Sequence, residues 1–83
     1  METRIAVLGI VVEAERSVEL LNEILHEYRD AIIGRMGIPY RQKGISIISI
    51  AVDAPQDTIS ALSGKVGKLP GVSSKTAYAG VKK

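Results

Sequence analysis

His26 is the chain's one imidazole, so any His-dependent general-base or nucleophile-activating chemistry would have to pass through it. At helical spacing its neighbours are Asn22 and Asp30, not a serine, so no hydrolytic pair forms around it. A metal would need His26 together with carboxylates such as Glu23 and Glu27. Those two acids lie four residues apart on one helix face, which reads as a solvated surface rather than a ligand set. Cysteine is absent, which removes disulfides, thiolate zinc sites and Cys-ligated iron–sulfur clusters. The sequence therefore assigns no catalytic residue, no metal ligand and no cofactor.

Phosphate chemistry fares no better. No Gly-x-x-x-x-Gly-Lys-Ser/Thr run occurs, and no Gly-x-Gly-x-x-Gly follows an apolar strand. Ser63-Gly64-Lys65-Val66-Gly67-Lys68 has suitable residue types. It falls at the C-terminal end of a helix, where free carbonyls rather than N–H groups project, so it reads as a packing and capping segment. An anion loop after the first strand is also excluded, because Val12-Glu13-Ala14-Glu15 is acidic. Base stacking lacks its aromatics: Trp and Phe are both 0 and Tyr is 3.

Charge is uneven. Residues 1–57 hold six Lys/Arg against nine Asp/Glu, and residues 58–83 hold five Lys and no acid. A basic C-terminal half makes nucleic-acid contact the alternative function. Lys65 and Lys68 also suit a helix C-terminus, where the dipole favours cations, and Lys82 and Lys83 read as a frayed tail. The apolar run at residues 5–12 is too short to span a bilayer and lacks the flanks of a secretory signal. A soluble cytoplasmic protein with no membrane role is the expectation.

These residues need elements to hold them, and 83 residues with 46% hydrophobic content suit one domain over residues 1–83. Residues 5–12 form a β-branched apolar strand. Ser17 is the expected N-cap of a helix over 17–29, with Val18, Leu21, Ile24, Leu25 and Tyr28 along one stripe. Residues 31–36 read as a short second strand, with Gly37-Ile38-Pro39 interrupting its pairing and residues 41–44 turning the chain. Residues 45–52 form a third strand, in which the step from Ile47 to Ile48 implies either two covered faces or a bulge. Asp53-Ala54-Pro55 opens a second helix with Ile59, Leu62, Val66 and Leu69 inward, and Gly67 stops it. Pro70-Gly71 turns into a weaker strand over 72–79.

The order β-α-β-β-α-β predicts an α+β ferredoxin-like sandwich, an antiparallel four-stranded sheet with both helices on one face. Its central strands are the first and third, the two most apolar here, and the polar second and fourth are its edges. Helices on one face leave the other bare. Ile5, Val7 and Val11 share one parity, Ala6, Leu8, Ile10 and Val12 the other; Ile45 and Ile47 oppose Ile48, Ile50 and Val52. Burying an aliphatic side chain stabilises by roughly 1.5–3 kcal/mol. Five such side chains contribute about 8–15 kcal/mol, against roughly 4–15 kcal/mol for association. A homo-oligomer, dimer or tetramer, joined through the open face is therefore expected. A small oligomeric enzyme would need a polar cluster on this face, and the sequence places Ile, Val and Ser there.

Three stretches carry a family resemblance: residues 8–13, Ile33-Gly34-Arg35-Met36-Gly37-Ile38-Pro39-Tyr40, and residues 57–72 with Ser63-Gly64-Lys65 at their centre. Nearly end to end, the chain resembles the small family of regulators associated with the iron-only hydrogenase system. The resemblance implies an ACT-like domain similar to the ligand-binding half of the nickel-responsive repressor, and hence a regulatory rather than enzymatic function. That repressor's metal site uses several His and a Cys, against one His and no Cys here, so nickel sensing by that route is not expected. Its separate DNA-binding domain has no counterpart in these 83 residues, so a partner protein or a small effector is the expected target. Arg35, Met36, Gly37 and Tyr40 are the candidate effector-binding residues: Arg35 to pair an anionic group, Gly37 to admit a ligand to the backbone, Tyr40 as a flat wall.

Overall fold

The computed structural model describes residues 2–80. Lys82 and Lys83, expected as a frayed tail, lie outside the described residues. Four strands and two helices follow in the predicted order: β1 (Arg4–Val12), α1 (Arg16–Glu27), β2 (Ile32–Tyr40), β3 (Ile45–Ala54), α2 (Gln56–Gly67) and β4 (Val72–Tyr78). The sheet is antiparallel throughout, in the order β2-β3-β1-β4. The apolar strands β1 and β3 do occupy its centre. The α+β ferredoxin-like sandwich is the observed fold.

Alternation sorts the sheet into two faces. Ala6, Leu8, Ile10 and Val12 of β1 and Ile48, Ile50, Val52 and Ala54 of β3 point to the helices. Leu21 and Leu25 of α1 and Ile59, Leu62 and Val66 of α2 close over them, and these residues make one continuous core. Leu69, expected inside, packs at its margin.

Several local expectations are corrected. Ser17 is not the N-cap: α1 begins one residue earlier, with Glu15 at the N-cap position and no side-chain cap, and ends at Glu27, two residues short of the predicted end. A short 3-10 turn at Arg29–Ala31 carries the chain into β2. Asp53 and Ala54, expected to open α2, end β3 instead, and Pro55 sits at the N-cap of α2 ahead of its first helical residue, Gln56. Gly37-Ile38-Pro39 does not interrupt β2, which stays paired with β3 through Tyr40. Pro39 is tolerated because β2 is an edge strand, where a missing N–H can face away from the ladder.

The bulge suggested for β3 is in β2 instead. β3 pairs with β1 without a break from Ser46 to Ala54, so its apolar content reflects two apolar faces. In β2, Ile32 pairs with Val52 and Gly34 with Ala51, and Ile33 is the extra residue. Turn glycines serve where backbone geometry demands them. Gly44 has φ +68 in the β2–β3 turn, and Gly71 has φ +67 where the chain enters β4.

Candidate functional site

The β2 bulge decides which side chains share a surface. Beyond it, Met36, Ile38 and Tyr40 pair with Ser49, Ile47 and Ile45, whose side chains leave the sheet away from the helices. Arg35 and Gly37 pair with Ile50 and Ile48, which face the core, so they lie on the helix side. The four candidate residues thus divide into two pairs: Arg35 with Gly37 on one face, Met36 with Tyr40 on the other. What the sequence presented as one cluster is two surfaces back to back.

The open face is apolar and bare. Ile5 is 43% exposed, Val7 42%, Met36 61%, Ile38 48%, Tyr40 41% and Ile47 40%. Register places Val11 beside Ile47 and Val7 beside Ala51, so these residues are contiguous across β2, β3 and β1. Lys75 of β4 stands on the same face, opposite Gly9. Apolar patches of this kind recur at interfaces between proteins.

On the helix side, neither helix covers β2, and its residues from Ile33 to Tyr40 are all exposed. A cleft of about 230 Å3 runs there between α1 and β2. Val18, Pro39 and Ile48 give it an apolar lining, and Arg35, Asn22 and Ser46 supply polar groups. Arg35 Nη2 donates to Asn22 Oδ1 at 3.3 Å across it. Gly37 opens it: a Cβ there would meet only Ile48 Cγ1, at 4.0 Å. An adjoining cleft of about 270 Å3 shares Val18, Pro39 and Ser46 and adds Glu15 and Arg41.

The remaining charged residues are scattered. Lys65 Nζ donates to Glu27 Oε2 at 2.9 Å and lies 5.1 Å from the Tyr28 ring, tying α2 to α1. Those contacts, the Glu27 hydrogen bond first and Tyr28 next, hold Lys65 above its ordinary value of 10.5. Lys75 stands on the opposite side of the molecule, so these lysines do not form one stripe. His26 is exposed, and its carbonyl accepts from Arg29 Nη1 at 2.9 Å. Among the described residues, no three His, Cys, Asp or Glu side chains come together to hold a metal. No described helix is long and apolar enough to cross a membrane.

Sequence reasoning missed the role of Ser17. Its side chain is buried, and its Oγ donates to the Pro70 carbonyl at 2.6 Å. Glu13 N donates to the Gly71 carbonyl at 2.7 Å beside it. Together they lock the start of α1 to the turn before β4. The partner lies 53 residues away, so no local signal could have named it.

The uncharacterized protein TM1266 from Thermotoga maritima has a closely similar structure: TM-score 0.89 and 40% identity, covering 93% of this chain and 98% of that one. A formyltetrahydrofolate deformylase from Pseudomonas putida KT2440 shares the fold at TM-score 0.63 and 16% identity, over 88% of this chain and 28% of its own. A nitrogen regulatory PII-like protein from Thiomonas intermedia K12 does so at TM-score 0.51 and 16% identity, over 96% of each chain. In sequence, a "Putative nickel-responsive regulator" of Saccharolobus solfataricus is 33% identical over 66 residues, which is 80% of this chain and 49% of that protein. The chain thus spans about half the length of that curated relative. Residues 4–76 match the family model described as "TM1266-like: Iron-only hydrogenase system regulator, putative", and the chain belongs to that family.

Proposed function

We propose that the protein is a cytoplasmic, non-catalytic regulator that works as a homo-oligomer. Its copies join through the open sheet face, and a small effector binds beside β2. The family description supplies the regulatory role and the link to the iron-only hydrogenase system. The observation that carries the assembly is the bare apolar face from Ile5 to Tyr40. Strand spacing of about 4.8 Å and a rise of about 3.3 Å per residue give that face roughly 500 Å2. Two copies would then bury about 1,000 Å2 together, the area at which a specific interface becomes credible.

A second copy is the occupant that matches this face best. It is apolar where the partner's would be apolar, so a two-fold pairing sets like against like and strands no charge at its centre. Lys75 stands at the rim on β4, where it keeps its water. The test is the mass in solution by light scattering across micromolar concentrations. A multiple of 8.9 kDa is expected, and a single 8.9 kDa species throughout would overturn the reading.

Nucleic-acid contact through the Lys-rich C-terminal half is the competing reading, supported by five Lys and no acid over residues 58–83. A gel shift whose affinity falls steeply with salt would favour it, because phosphate contacts release counterions. No shift at low salt would remove it.

A further inference from the structure

We infer that the cleft beside Arg35 binds a small carboxylate with a compact apolar body. This deepens the effector half of the proposed function and rests on that reading. The first observation is electrostatic. Arg35 lines the cleft with no carboxylate partner: among the described residues the ion pair formed is Lys65 with Glu27, and Arg35 meets only the neutral Asn22 amide, at 3.3 Å. A guanidinium beside an apolar floor is suited to a planar carboxylate, which it grips through two parallel N–H donors.

The second observation is the shape of the floor. Val18, Pro39 and Ile48 line it, and Gly37 leaves a stretch of backbone uncovered between them. Glycine inside a strand is destabilising by roughly 0.5–1 kcal/mol relative to Ala. Nothing within the chain requires it at 37, since an added Cβ would meet a single atom at ordinary contact distance. An open floor at that position serves a molecule that lies against the backbone.

Charge and volume narrow the class. One cation, one amide and one hydroxyl face the cleft, and the adjoining cleft brings Glu15 and Arg41, whose opposite charges offset. That balance suits a single negative charge and disfavours a phosphate dianion. The 230 Å3 of space equals about eight water volumes of ~30 Å3 each. A monocarboxylate of about eight heavy atoms with a branched or aromatic body fits, its charge at Arg35 and its body over Gly37 and Ile48.

Benzoate and 4-methylpentanoate, each beside its uncharged amide, are the probes. NMR titration of the full chain should shift the backbone amides of Arg35, Gly37 and Ile48 with the acids and leave them unmoved with the amides. Arg35→Gln should weaken acid binding by about 10- to 100-fold, the range for losing a charge-assisted hydrogen bond. Gly37→Val should block binding by filling the floor, and retained sheet signals in its spectrum verify its fold. Equal binding of acid and amide, or unchanged affinity in a folded Arg35→Gln or Gly37→Val variant, would overturn the site. Light scattering on the same samples separates the two readings. An oligomer that ignores the acids contradicts this site alone, and a monomer that binds them contradicts the assembly alone.

Discussion

Arg35 and Met36 are adjacent in the chain and leave β2 on opposite faces of the sheet. Arg35 reaches Asn22 of α1 at 3.3 Å, whereas Met36 pairs across β2–β3 with Ser49 on the bare face. One edge strand therefore borders both the cleft beside Arg35 and the bare sheet face. Under the proposed function, a ligand held at Arg35 and Gly37 would bear on the same backbone that presents Met36, Ile38 and Tyr40 to another copy, so binding and assembly would be coupled through β2.

The bulge at Ile33 precedes this division, and it can be removed. Deleting Ile33 joins the Ile32–Val52 pair to the Gly34–Ala51 pair without a shift, so Arg35 and Gly37 still pair with Ile50 and Ile48 on the helix side, and Met36, Ile38 and Tyr40 stay on the bare face. The expected outcome is a folded variant that keeps both acid binding and association. Loss of both in a variant whose β1–β3–β4 core stays intact by hydrogen exchange would contradict the register.

The lock between α1 and the turn before β4 gives a stability prediction. Ser17→Ala removes the buried hydroxyl that donates to the Pro70 carbonyl at 2.6 Å, at a cost of about 0.5–1.5 kcal/mol. Gly71→Ala adds a Cβ 2.7 Å from the Ala14 Cβ at φ +67, and should cost at least as much, with an origin in crowding and backbone strain. Urea melts of both variants measure these costs. A cost under about 0.5 kcal/mol for Gly71→Ala would show that the turn relaxes freely.

Much of this fold was legible in the sequence because its information is periodic. The β-branched runs of β1 and β3 declare buried strands, and their two apolar parities declare a face that the helices cannot cover. Ser17 was misread because a serine before a helical stripe is an ordinary cap, and only the fold brings Pro70 to it. The end of β2 was misread because Gly37 and Pro39 read as breakers even on an edge strand; Pro39 is harmless only where its missing N–H faces away from the ladder, and that depends on the β2–β3 register. The candidate site was grouped by sequence adjacency, although alternation alone separates Arg35 and Gly37 from Met36 and Tyr40. What alternation could not supply was which set faces the helices, because that depends on the one-residue bulge at Ile33.

Alkaline pH tests the link between the helices. Glu27 and Tyr28 raise Lys65 above 10.5, so the charged form is favoured in the folded state. The stabilisation is fully present below the unfolded lysine value and is lost as pH rises through the raised folded value. Both partners are exposed, so the effect is small and screened by salt. In low salt, the difference in Tm between the parent and Lys65→Met should be constant at neutral pH and shrink above pH 10.5. A difference that grows with alkalinity would contradict the assignment.

Association through the open sheet face is tested most directly by the mass in solution of the double variant Val7→Glu and Ile47→Glu. Both side chains lie outside the core, at 42% and 40% exposure, so the fold should survive, as circular dichroism and cooperative urea unfolding would show. Light scattering should then report a species of 8.9 kDa where the parent reports a multiple of it. A double variant that keeps the parent's mass would place the contact elsewhere and contradict the account.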